Sequence, residues 1–224
     1  EALDATVFSV FSLNGERCTA GSRVLVERSI YDDFVERYAE RAKNIVIGLP
    51  SDPATEVGAL VHPSHFEKVM SYVEIGKGEG RLVAGGGRPE GFPEGNYVAP
   101  TVFADVASDA RIFQEEIFGP VVAITPFDTD EEALKLANDT KYGLASGIWT
   151  TNLSRALRVS RAINSGMVWV NTYRAISYMM PFGGMKHSGL GRESGIDAVR
   201  EYLETKSVWI STAKDVPANP FVMR

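Results

Sequence analysis

Leu3, Val7, Val10 and Phe11 recur at intervals of three and four from almost the first residue, which lays apolar side chains along one face of a helix that Asn14-Gly15 should end. A second stripe of Tyr31, Phe34, Val35, Tyr38, Ala42 and Ile45 predicts an amphipathic helix over residues 30–45, with Asp33 and Arg37 paired one turn apart. Val24-Leu25-Val26 between them reads as a strand. Arg81-Leu82-Val83-Ala84, Val121-Val122-Ala123-Ile124, Ser146-Gly147-Ile148-Trp149 and Met167-Val168-Trp169-Val170 are further short β-rich runs, with helical patterns at residues 131–138 and 152–163. Strands alternating with helices predict an α/β fold with a largely parallel sheet flanked by helices. Residues 204–211 predict a terminal strand carrying Val208 and Ile210, followed by an irregular tail through Pro217 and Pro220. Gly76-Lys77-Gly78-Glu79-Gly80 and Gly85-Gly86-Gly87 read as turns, because neither has the Gly-Lys-Ser/Thr ending of a phosphate loop nor the dinucleotide fingerprint after a strand.

Composition narrows the picture. With 224 residues and 44% hydrophobic content the chain can bury a sizeable core as one large domain. A net charge of -6, spread without long like-charged runs, predicts no nucleic-acid partner, and no stretch is apolar enough to predict a membrane span. A single cysteine forms no internal disulfide, so a cytoplasmic location is the default expectation. The helical spacing begins at once, without an initiator Met or a signal peptide, and predicts a chain that starts inside an element of a longer protein.

His62 and His65 form an H-x-x-H, but Pro63 lies between them and no third ligand is near in sequence, so ordinary surface histidines are expected and no metal site. No G-x-S-x-G occurs. Cys18 is the remaining candidate. A lone cysteine is by type more often an inert apolar side chain. Cys18 instead lies in a loop punctuated by Gly15 and Gly21, whose flexible backbone can approach a ligand and aim N–H groups at a developing oxyanion. Arg17 and Arg23 flank it and favour the thiolate, whereas the preceding helix C-terminus opposes it.

Phe11-x-x-x-Gly15-Glu16-x-Cys18, followed by Thr-Ala-Gly-Ser-Arg, resembles the active-site cysteine motif of the NAD(P)-dependent aldehyde dehydrogenase superfamily. Gln114-Glu115-Glu116-Ile117-Phe118-Gly119-Pro120-Val121 is similar to a second signature of that family, and Pro181-Phe182-Gly183-Gly184-Met185-Lys186-His187-Ser188-Gly189-Leu190-Gly191-Arg192-Glu193 to a third, with Val170-Asn171-Thr172-Tyr173 just before it. The resemblance covers nearly the whole chain. It implies that Cys18 attacks an aldehyde carbonyl to form a thiohemiacetal, that hydride passes to NAD or NADP, and that water releases the acid from a thioester. The Cys18 N–H is implied as one oxyanion donor, Glu116 as acceptor for the nicotinamide-ribose hydroxyls, Phe118 as packing near the nicotinamide, and Phe182 as a wall of the substrate pocket. The four glycines Gly183, Gly184, Gly189 and Gly191 are expected as turn formers. Residues 173–178 match the family's variable pocket loop, where Arg174 is a candidate partner for a carboxylate on the aldehyde.

The family's oxyanion Asn, general-base Glu, cofactor-contacting Lys and Gly-rich nucleotide-binding half have no match in this sequence, so the polypeptide alone is expected to bind NAD weakly and not to turn over. Glu16 occupies a position where the family takes Gln or Glu, and no base role is expected of it. Homodimers or homotetramers are implied, with Val208-Trp209-Ile210 matching the strand that crosses between subunits, which makes an assembly module the non-catalytic alternative. A cysteine hydrolase using His187 as base is the rival enzyme class and requires thiol and imidazole within hydrogen-bond reach.

Overall fold

The computed structural model describes residues 1–212, 214, 219 and 221. Among them run helices α1 (Ala2–Phe11), α2 (Tyr31–Lys43), α3 (Pro63–Glu79), α4 (Arg111–Gln114), α5 (Asp130–Asn138) and α6 (Leu153–Ala162). The strands are β1 (Arg23–Glu27), β2 (Arg81–Ala84), β3 (Thr101–Ala104), β4 (Val121–Phe127), β5 (Ala145–Ile148) and β6 (Met167–Val170). The main sheet has the order β1-β4-β3-β2. β1 and β3 both run parallel to β4, Arg23 opposite Ala123 and Thr101 opposite Val121, while β2 lies antiparallel on β3. β5 and β6 form a second, parallel pair with Ala145 opposite Met167. The predicted α/β class with a largely parallel sheet is the fold observed.

Both faces of the main sheet are covered, which is why its central strands are mostly apolar on both faces rather than at every other position, with Thr101 and Thr125 the buried polar exceptions. Val24, Val26, Val102, Ala104, Val122 and Ile124 point toward α1 and α2, where Val10, Phe11, Val35 and Tyr38 meet them. Phe103, Val121 and Ala123 point the other way, onto Val69 and Val73 of α3 and onto Ile112, Phe113 and Ile117. Each large side chain fully buried this way contributes roughly 1.5–3 kcal/mol by removal from water. Three of the helices, α3, α5 and α6, start at side-chain caps. His62 Nδ1 accepts from the Ser64 N–H at 3.2 Å with Pro63 at the first position of α3, Thr129 Oγ1 from Glu132 at the start of α5, and Asn152 Oδ1 from Arg155 at the start of α6.

Several expectations are corrected. The helix of residues 30–45 is narrower, Tyr31–Lys43, because Arg28–Ile30 wind as a 3-10 turn and Asn44 leaves the helical region. α1 stops at Phe11, and the 3-10 turn Ser12–Gly15 carries the chain on to the expected end. Gly76 and Gly78 are not a turn but the last turn of α3, where Phe103 packs so close to Gly76 that a Cβ would lie 2.6 Å from its ring. Gly85 and Gly86 do turn the chain, with φ of 69° and 90°. Among the described residues no strand forms over 204–211, where Trp209 is 95% exposed. The expected tail positions Pro217 and Pro220 lie outside the described residues. Among the described residues no helix is long and apolar enough to cross a membrane.

Candidate active site

The loop that carries Cys18 begins with a costly backbone. Leu13 and Asn14 stand at φ 53° and 59°, a region that side-chain-bearing residues avoid, and Gly15 follows at 71°. Asn14 offsets its cost with two long-range bonds: Oδ1 accepts from the Gly58 N–H at 2.9 Å and Nδ2 donates to the Ala59 carbonyl at 2.8 Å. Glu16 Oε1 accepts from the Val61 N–H at 3.0 Å and faces His65 Nε2 at 3.6 Å. Glu16 is thus engaged in fixing the loop.

Beyond Glu16 the Ala20 N–H donates to the Arg17 carbonyl at 3.0 Å, closing a turn with Cys18 at its second position. The Cys18 side chain is exposed. Its backbone N–H makes no hydrogen bond within the described residues. Neither flanking guanidinium bonds to the sulfur. Arg17 Nη2 donates to the Ser9 carbonyl at 3.0 Å and to Tyr173 Oη at 2.8 Å. Arg23 donates to the Leu136 and Ala137 carbonyls at 3.3 and 3.2 Å, at the C-terminal end of α5, and stacks on Phe113 with its Cζ 4.8 Å from the ring centre. Burial pushes the Arg23 guanidinium below its ordinary value, with Asp139 acting the other way.

Cys18, Glu116 and Phe118 line one cleft of about 300 Å³. The two glutamates beside Phe118 have different fates. Glu115 binds Arg111 at 3.1 and 3.0 Å and the Tyr72 hydroxyl at 2.6 Å, and these partners, Arg111 first, hold its carboxyl down to about 2. Glu116 is exposed, and its carboxylate accepts nothing among the described residues, while its backbone carbonyl accepts from Lys68 Nζ at 3.1 Å. Phe118 stands at φ 59° and is 36% exposed. His65 Nε2 lies 2.7 Å from the Phe118 carbonyl, an acceptor only, so the His65 proton is on Nε2. A free carboxylate and an open aromatic face on the wall that carries the thiol fit the ribose and nicotinamide end of a dinucleotide.

The segment after Phe182 closes another part of this cleft. Met185 N–H and Ser188 Oγ pair with the backbone of Gly143 at 2.8 and 2.9 Å, and Lys186 Nζ donates to the Asn138 and Thr140 carbonyls at 3.2 and 2.7 Å. Lys186 and Arg23 together therefore satisfy carbonyls at the exit of α5, which no local pattern in the sequence reveals. Gly189 and Gly191 turn the chain at φ 132° and 72° as expected, whereas Gly183 and Gly184 are places of close backbone approach. His187 also lines the cleft, but no hydrogen bond joins it to Cys18 among the described residues, which gives the hydrolase reading no geometric support. His62 and His65 go separate ways, one capping α3 and the other meeting Phe118.

Arg174 and Phe182 are not among the residues lining this cleft. Arg174 is exposed at φ 62°. Phe182 is half-buried, and its backbone pairs with Glu193 through bonds of 2.7 and 2.8 Å. The bonding roles of Tyr173, Asn14 and Arg17 are not legible in the sequence. Their partners lie up to 164 residues away, so local pattern carries no signal of them.

Residues 1–208 match the aldehyde dehydrogenase family. The chain is 50% identical over 200 residues to a 5-carboxymethyl-2-hydroxymuconate semialdehyde dehydrogenase of Escherichia coli, covering 87% of this chain and 42% of that protein. It is 44% identical over 215 residues to a betaine aldehyde dehydrogenase of Sinorhizobium fredii, covering 95% and 44%. Among solved structures, an indole-3-acetaldehyde dehydrogenase of P. syringae in complex with NAD+ and IAA superimposes with a TM-score of 0.88 at 48% identity over 93% of this chain and 42% of that one. A Staphylococcus aureus betaine aldehyde dehydrogenase in complex with NAD+ gives 0.93 at 36% identity over 97% and 44%. The chain spans less than half the length of these relatives.

Proposed function

Because the chain belongs to the aldehyde dehydrogenase family, we propose that it is the nucleophile-bearing domain of an enzyme that oxidises an aldehyde to a carboxylic acid, with Cys18 as the nucleophile. The observation that carries this reading is the exposed thiol at a turn apex in a cleft shared with Glu116 and Phe118. The Cys18 thiolate adds to the aldehyde carbon, and the new C–S bond holds that carbon still while the carbonyl oxygen becomes an oxyanion. The free Cys18 N–H donates to that oxyanion. Bound NAD or NADP supplies the acceptor for the hydride leaving that carbon. Glu116 orients the ribose by accepting from its hydroxyls, and the Phe118 ring packs beside the nicotinamide. Water then cleaves the thioester on Cys18, freeing the acid and the thiol.

Arg174 and Phe182 belong to this proposal as contributors to the aldehyde pocket, and the name of the Escherichia coli relative makes a carboxylated semialdehyde the first substrate to try. The exposed Val208-Trp209-Ile210 supports a second role in joining copies into a homodimer or homotetramer. The test is NADH or NADPH formation by the full-length enzyme over a panel of carboxylated and uncharged aldehydes. Activity that vanishes in Cys18→Ala is expected, and activity that survives refutes the reading. In the same panel Arg174→Ala should lower kcat/KM for carboxylated aldehydes more than for uncharged ones, and an equal loss for both removes the anchor role.

A further inference from the structure

Tyr173 grips the turn that presents Cys18 from far along the chain, and Arg17, the first residue of that turn, meets it there. Tyr173 Oη accepts from Arg17 Nη2 at 2.8 Å and donates to the Thr19 carbonyl at 3.2 Å, so one hydroxyl bonds the residue before Cys18 and the residue after it. The Arg17 guanidinium lies 5.5 Å from the centre of the Tyr173 ring and 5.8 Å from that of Phe8. The same tyrosine ring meets Phe8 and Trp169 edge-on at 6.2 and 5.4 Å. Trp169 Nε1 in turn donates to the Ala175 carbonyl at 2.9 Å, which holds the loop that continues from Tyr173.

Arg17 is an expensive way to fill this place. Its Nε and Nη1 are sealed from solvent and bond to nothing among the described residues. Desolvating donors without partners costs free energy, and an unbranched apolar side chain would pack between two rings without that cost. What the apolar side chain would lose is the Nη2 bonds, among them those to the Ser9 carbonyl at 3.0 Å and to Tyr173 at 2.8 Å, and of these only the second reaches the 173–178 loop. Resting on the reading of Cys18 as nucleophile, we propose that Arg17 and Tyr173 are a pair of positioning residues that clamp the Cys18 turn to the 173–178 loop, and so set where the thiol stands relative to a bound aldehyde. With the clamp released, the turn keeps its own Ala20 to Arg17 bond and the longer Gly21 to Ser9 bond of 3.3 Å, neither of which reaches the 173–178 loop.

The test uses the full-length enzyme with Tyr173→Phe, Arg17→Met, Arg17→Lys and the Tyr173→Phe/Arg17→Met double variant. Tyr173→Phe keeps the ring and removes only the hydroxyl. It should lower kcat about tenfold and slow alkylation of Cys18 by iodoacetamide, while leaving the KM for the nicotinamide cofactor within about twofold, because only the alignment of thiol and aldehyde changes. Arg17→Met should do the same, Arg17→Lys should recover most of its loss, and the double variant should be no worse than either single one, since the two residues act as one unit. A Tyr173→Phe enzyme with kcat and alkylation rate within about twofold of the parent overturns the proposal, as do losses that multiply in the double variant. A Tyr173→Phe protein that no longer unfolds cooperatively also overturns it, because the hydroxyl would then be needed for folding. Cys18→Ala keeps the two claims apart: activity without the thiol refutes the nucleophile, whereas an inactive Cys18→Ala beside an unimpaired Tyr173→Phe refutes the clamp alone.

Discussion

Gly15→Ala tests how tightly the loop that carries Cys18 is fitted to the segment of residues 118–120. A Cβ added at Gly15 would lie 2.1 Å from the Gly119 carbonyl oxygen, 2.4 Å from its carbon and 2.9 Å from Pro120 N. All three are backbone atoms, so no side chain can swing aside, and ordinary contact requires the loop to retreat by about 1 Å. Gly15 also stands at φ 71°, where alanine is disfavoured. Overpacking at about 1–3 kcal/mol and left-handed backbone at about 1–2 kcal/mol together predict a loss of about 2–5 kcal/mol. For a domain of this size that lowers the unfolding midpoint by about 5–15 °C. A retreat of about 1 Å by the segment that carries Cys18 predicts a loss in kcat of about a hundredfold. Gly78→Ala is the control: it lies in α3 with nothing within 4 Å of an added methyl, and should gain about 0.5–1 kcal/mol from helix propensity with kcat unchanged. Thermal unfolding by circular dichroism and initial rates on the full-length enzyme measure both. A Gly15→Ala protein with the parent's midpoint and rate refutes the reasoning, as does a Gly78→Ala protein that suffers equally.

Removing the Arg23 guanidinium strands the Leu136 and Ala137 carbonyls, so Arg23→Met should destabilise by about 2–3 kcal/mol in chemical unfolding, and an unchanged midpoint contradicts the capping role. Because Arg111 and Tyr72 hold the Glu115 carboxyl down to about 2, that group adds stability above the ordinary value of 4.5 and withdraws it as pH falls from there toward 2. Glu115→Gln should therefore flatten the acid side of a plot of unfolding midpoint against pH in that window, and a slope equal to the parent's contradicts the assignment.

Where helical or strand periodicity is uninterrupted, the sequence is readable: β1, β4, β6, α2, α5 and α6 stand within a few residues of their expected places. α3 is obscured by its own composition. Pro63 begins it and Gly76 and Gly78 end it, residues that ordinarily punctuate a chain, and Gly76 is there because Phe103 of β3 leaves no room for a side chain. β3 itself is four residues buried on both faces, too short and uniform to show a period. Cys18, Glu116 and Phe118 stand out through their motifs and do share a cleft. The arginines beside Cys18 are neighbours of the thiol in sequence, yet both spend their donors on distant carbonyls and a hydroxyl, partners that only the folded chain supplies. Residues 204–211 carry strand-like alternation, but alternation alone does not build a ladder, and no strand forms there among the described residues.

The central claim is that Cys18 carries the substrate's acyl group during turnover. Acid quenching the full-length enzyme within its first turnovers, with saturating aldehyde and NAD, and weighing the proteolytic peptide that contains Cys18 tests it directly. The predicted result is a peptide heavier by the acyl group of the aldehyde used, with the extra mass on the sulfur and released by hydroxylamine. A Cys18 peptide of unchanged mass while NADH accumulates, or the acyl mass on another residue, contradicts it.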